Sequence, residues 1–184
     1  MTIFTPARAV VLALAAAAIV LMLLAVGPLA AARQSHDRTD LGRVRAATDR
    51  YHDLAVAGAD GYALLKDTAG ITCIDNPGVG AMGVHYANNA LVGAGVIDAV
   101  KPQVLVYEPG ADGNLRLAAV EYVVLQADWD AAHSAPPALF GESFMLTPAG
   151  NRYGLPAFYS LHAWAWKTNP GGTFAMWNPQ VACK

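Results

Sequence analysis

Three polar residues stand where strand alternation calls for apolar ones, and together they are of the types that hold a divalent metal. In the run Leu115 to Gln126, one face carries Leu115, Leu117, Ala119, Glu121, Val123 and Leu125. The other carries Arg116, Ala118, Val120, Tyr122, Val124 and Gln126. Successive strand residues point to opposite faces, and the first face is the more apolar, so Glu121 turns inward. A lone buried carboxylate is costly and must either protonate or find a partner. The same count over Phe158 to Lys167 groups Phe158, Ser160, His162, Trp164 and Trp166, opposite Tyr159, Leu161, Ala163, Ala165 and Lys167. Lys167 marks its own face as the wetter one, which leaves His162 in the aromatic interior. In Met82 to Asn88, His85 shares a face with Gly83 and Ala87, whose small size leaves room around an imidazole.

Two neutral imidazoles and one carboxylate offset part of a divalent ion's charge and leave coordination positions open. Such a set suits Fe(II), Zn(II), Mn(II) or Cu(II). The sequence therefore nominates His85, Glu121 and His162 as ligands of one divalent metal: Zn, Fe, Mn or Cu. Tyr86, Tyr122, Tyr159, Trp164 and Trp166 are the expected walls of an aromatic pocket around them. In an enzyme the open positions would activate water or dioxygen. Two other readings fit the same residues. One is a non-catalytic secreted binding protein with a pocket for a small apolar or aromatic ligand. The other is a structural network of His–Glu or His–Tyr pairs. Whether the protein is an enzyme stays open. Ser143 and Ser160 lack a Gly-x-Ser-x-Gly elbow, and no Cys-x-x-Cys-His step attaches a haem. His36, His52 and His133 sit in polar surroundings and read as solvated.

The elements that must position these residues are of two kinds. From Asp40, apolar residues recur at Leu41, Val44, Ala47, Tyr51, Leu54 and Ala55. Steps of three and four predict an amphipathic helix with Asp40 as its N-cap, running to Val56 or beyond. After Gly70 short apolar runs alternate with turn signals: Met82 to Asn88, Gln103 to Tyr107, Leu115 to Gln126, Phe158 to Lys167, and one more strand over Phe140 to Leu146. Glu108 to Asn114 has the residues of a hairpin loop, and Leu91 to Val100 reads as a short helix or covering loop. The fold class is α+β, with an N-terminal helix packed on a strongly bent antiparallel sheet or small barrel.

The ends of the chain speak to compartment. Arg8 precedes an apolar run from Ala9 to Val26, followed by Gly27-Pro28 and Ala30-Ala31-Ala32. That is the layout of a signal peptide over residues 1–32, with cleavage after Ala32. The run would span roughly 27 Å as a helix, so an uncleaved anchor is the alternative. Residues 33–39 read as a linker and 40–184 as a single domain large enough to bury a core. Any membrane contact would run through the N-terminal segment alone. The 184-residue chain carries 12 Lys and Arg against 14 Asp and Glu, a net charge of −2, so no nucleic-acid surface is expected. Cys73 and Cys183 are the two cysteines present, and with no ligand-spaced partner near either they read as one disulfide.

Three segments carry a resemblance: Cys73-Ile-Asp-Asn-Pro-Gly-Val-Gly-Ala-Met-Gly-Val-His-Tyr86, Val120-Glu-Tyr122, and Leu161-His-Ala-Trp-Ala-Trp-Lys-Thr-Asn-Pro170 with its ending Trp177-Asn-Pro-Gln-Val-Ala-Cys183. The chain from about Tyr51 onward resembles a group of exported bacterial proteins of unknown function. The resemblance implies a periplasmic, extracellular or envelope-associated single domain, and implies no substrate.

Overall fold

The computed structural model describes residues 40–183, and its first element is a helix over 40–48 (α1). The signal peptide or anchor over 1–32, the linker over 33–39 and His36 lie outside the described residues. Asp40, expected as the N-cap, is itself helical. Leu41 and Val44, one turn apart, are buried, whereas Arg43 and Arg45 are exposed. The single helix expected to reach Val56 is instead broken into three pieces. A 3-10 turn, Asp49–His52, follows α1, and a second helix, Leu54–Ala59 (α2), follows that. Asp53 causes the break. Its backbone is extended and its carboxylate accepts the Ala55 amide at 2.8 Å, so it caps α2 rather than continuing α1.

The strands are β1 (Ala63–Leu64), β2 (Cys73–Asn76), β3 (Gly80–Ala87), β4 (Val104–Pro109), β5 (Leu115–Leu125), β6 (Ala138–Leu139), β7 (Glu142–Ser143), β8 (Met145–Thr147) and β9 (Phe158–Ala163). Seven of them form one antiparallel sheet in the order β1-β3-β4-β5-β9-β8, with β2 also pairing β3. Because β1 and β8 end the order without pairing each other, the sheet is open and not a closed barrel. This is the α+β class. A short helix, Asn89–Gly93 (α3), follows β3, and another, Gln126–Asp130 (α4), follows β5.

The segment expected as one strand over Phe140 to Leu146 is a hairpin followed by an edge strand. Phe140 and Gly141 both have positive φ, 57° and 76°, and link β6 to β7 as a two-residue turn. β8 then pairs with β9.

Both faces of the sheet are covered, which is why β5 is apolar on both. Leu105, Tyr107, Val120, Tyr122, Val124 and Leu161 pack with Leu41, Val44, Ala57 and Tyr62 from the helical side. Val104, Val106, Ala119, Val123 and Phe158 face the other way, with Trp164 and Val181 from the C-terminal segment. Each large apolar side chain so buried contributes about 1.5–3 kcal/mol. The C-terminal segment is pinned beside β3. Ala81 and Asn178 exchange backbone hydrogen bonds at 3.1 and 3.0 Å, and Cys73 and Cys183 form a disulfide. Gly80 (φ 142°) makes this crossing possible, because a Cβ there would collide with the Asn178 carbonyl. Gly83 (φ 107°) lets β3 lie close on β4, since a Cβ there would stand 2.5 Å from the Tyr107 carbonyl oxygen.

Candidate metal centre

His85 sits on β3, Glu121 on β5 and His162 on β9. Glu121 and His162 are direct partners in the β5–β9 ladder. His85 pairs with Val106 on β4, and Val104 of β4 pairs with Glu121. The two histidines therefore lie three strand steps apart, roughly 14 Å along a flat sheet. Their ring centroids are 5.9 Å apart. Side chains rising from a flat sheet do not converge like that, so the sheet curls with this face on the inside.

The three groups are buried, with residue exposures of 2% for His85, 8% for Glu121 and 3% for His162. His85 Nε2 is 3.8 Å from one Glu121 oxygen, and His162 Nδ1 is 3.5 Å from the other. Those separations are long for hydrogen bonds. Both ring nitrogens of His85 and Nε2 of His162 have no hydrogen-bond partner. The Gly83 carbonyl favours the charged form of His85 without reaching hydrogen-bond geometry. Burial dominates the protonation of both rings. It pushes His85 down to about 4, against the pull of Glu121, and pushes His162 down to about 4 as well. Glu121 is raised by burial, with His85 and a hydrogen bond from Ser160 acting in the other direction.

One ligand-type atom from each residue lies within 4.8 Å of the others, and the group could hold a metal ion. In a tetrahedral site with bonds of about 2.0–2.1 Å, ligand atoms stand roughly 3.4 Å apart. The pairs at 3.5 and 3.8 Å are near that spacing, but they run to the two different oxygens of Glu121, and with one atom per residue the set spans up to 4.8 Å.

Two cavities meet at Glu121, and a third, of about 210 Å³, reaches His162 from the side of Ser143 and Phe174. One, about 330 Å³, is lined by Leu65, Val92, Val104, Val123, Leu125 and Phe158 among others, and reaches Glu121. The second, about 270 Å³, is bounded by Met82, Arg152, Ser160, His162, Met176 and Trp177, and also reaches Glu121. Tyr153 and Phe158 line both.

The expected aromatic wall is corrected by the same alternation that located the ligands. Tyr86, Tyr122 and Tyr159 each fall on the opposite face and pack in the helical layer. The Tyr122 hydroxyl donates to the Ala99 carbonyl at 2.7 Å and that of Tyr159 to Asp130 at 3.2 Å. Trp166 is not in register with His162, because β9 ends at Ala163. It packs on the helical side, where its indole donates to Thr48 Oγ1 at 3.0 Å and its ring meets His52 edge-on. Trp164 stays on the His162 side, buried with Ala81 and Val181, but it lines neither cavity. The residues that do line them, Arg152, Tyr153, Met176 and Trp177, lie in irregular segments where no period exists to betray them. His52 and His133 are exposed, as expected.

No protein-family model matches this chain, and neither a curated protein nor a solved structure does.

Proposed function

We propose that His85, Glu121 and His162 bind one divalent metal ion in an exported protein, and that the adjoining cavities bring a small molecule to it. The observation that carries this reading is the convergence of three buried groups of ligand type, with three ring nitrogens lacking any hydrogen-bond partner. A buried polar atom left unpaired costs about 1–3 kcal/mol, and one ion would satisfy an atom on each ring. With both rings held neutral by burial, no proton need leave them before they ligate. Burial raises Glu121, and a bound cation would reverse that. Three protein ligands would leave at least one position open, where the ion would supply Lewis acidity toward water or a carbonyl.

The export reading rests on the N-terminal segment and the resemblance to exported bacterial proteins. The Cys73–Cys183 disulfide fits an oxidising compartment. No helix among the described residues is long and apolar enough to cross a membrane. The larger cavity also supports a second reading, a non-catalytic binding protein, which would keep its ligand after chelation.

The direct test is metal content after reloading with Zn(II), Cu(II), Mn(II) and anaerobic Fe(II). Near-stoichiometric metal in the wild type, absent from a folded His85→Ala/His162→Ala variant, is expected. A wild type that retains none of the four overturns the metal reading.

A further inference from the structure

The larger cavity is apolar almost throughout, and Glu121 is the one charged residue in its lining. A cavity of about 150 Å³ with apolar walls accepts a benzene ring. At about 330 Å³ this one has room for roughly two fused rings or a chain of similar bulk. Arg152 lines the second cavity instead, and its guanidinium is held by the Asp67 carboxylate at 2.8 and 3.2 Å. A ligand carrying a carboxylate or phosphate would therefore bring an anion among apolar walls beside Glu121, with no counter-charge. A pure hydrocarbon would press on the carboxylate and leave it desolvated. A hydroxyl group donating to Glu121 satisfies it.

We propose that this cavity binds a small uncharged molecule of about two rings that bears a hydroxyl group, with the hydroxyl on the Glu121 carboxylate. The site stands on the cavity alone. The ligand's standing as a substrate rests on the metal reading, since the same carboxylate faces His85 and His162 at 3.8 and 3.5 Å.

The probe is 2-naphthol, titrated calorimetrically into metal-free and zinc-loaded protein beside naphthalene and 2-naphthoate. Saturable binding of 2-naphthol at one site is expected in both forms, and in the metal-free form it should be at least tenfold tighter than either comparison compound. Val123→Phe fills the cavity from β5 and Val92→Trp fills it from α3, so one folded variant suffices. Either should weaken 2-naphthol at least tenfold while zinc uptake is unchanged. Glu121→Leu, measured metal-free, should abolish the preference for 2-naphthol over naphthalene. No saturable binding to the folded wild type overturns the proposal. So does equal or tighter binding of 2-naphthoate to the metal-free protein, or indifference to both filling variants. Zinc refused by a protein that still binds 2-naphthol would sink the metal reading and support the cavity.

Discussion

At the residue scale, burial keeps two imidazoles neutral and raises one carboxyl. Free imidazole titrates near 6.5, whereas both rings are pushed to about 4 in the fold. Between those values the unfolded chain binds protons that the folded chain refuses. Their contribution to stability is complete above about pH 6.5 and is lost as pH falls toward 4, by up to roughly 3 kcal/mol per ring. Glu121 runs the other way. Its raised carboxyl contributes below its ordinary value of 4.5, and that contribution is lost as pH rises through the folded value. Urea unfolding of metal-free protein at a series of pH values reads the histidine effect. The wild type should lose stability between pH 6.5 and 4, and His85→Ala/His162→Ala should lose much less; parallel curves would contradict the burial argument. The candidate ligands could be read from sequence because a period of two leaves Glu121 and His162 on apolar faces. Tyr86 and Tyr122 were misplaced against that same rule, since each directly follows a ligand in its strand and so points the other way.

At the element scale, curvature and crossings matter more than strand identity. β5 was plain from its alternating run, and the Glu108 to Asn114 loop from its turn residues. The helix break was hidden because Asp53 caps locally, within an apolar pattern that would suit a continuous helix. The Phe140–Gly141 turn was hidden for a different reason. Phenylalanine is a poor choice for positive φ, and it is held there by ring packing on Tyr122 at 5.8 Å and Phe174 at 5.6 Å. Gly83 carries the clearest element-level prediction. Gly83→Ala combines a positive φ with a clash against the Tyr107 carbonyl, two residues from His85. It should cost about 1–3 kcal/mol in chemical denaturation and weaken metal uptake by displacing β3. Wild-type stability in this variant would mean that β3 and β4 do not approach so closely.

At the scale of the whole molecule, the disulfide closes a loop spanning 110 residues and ties the C-terminal segment to β2. The chain-entropy model gives up to about 4–5 kcal/mol for such a loop. Cys73→Ser/Cys183→Ser should therefore lower the melting temperature by many degrees, measured by calorimetry under non-reducing conditions; an unchanged value would contradict the role assigned to it. The pairing was legible because two cysteines with no ligand-spaced partner near either have few alternatives. That β3 and β9 face each other was not legible, since alternation assigns a side chain to a face and says nothing of how far the sheet curls.

That curl is what brings three ligand-type residues remote in sequence together, and anomalous diffraction from zinc-loaded crystals tests the proposed metal site most directly. The account predicts one strong peak within about 2.0–2.2 Å of a ring nitrogen of His85, a ring nitrogen of His162 and a carboxylate oxygen of Glu121. Full zinc loading with no peak among these three residues would contradict it.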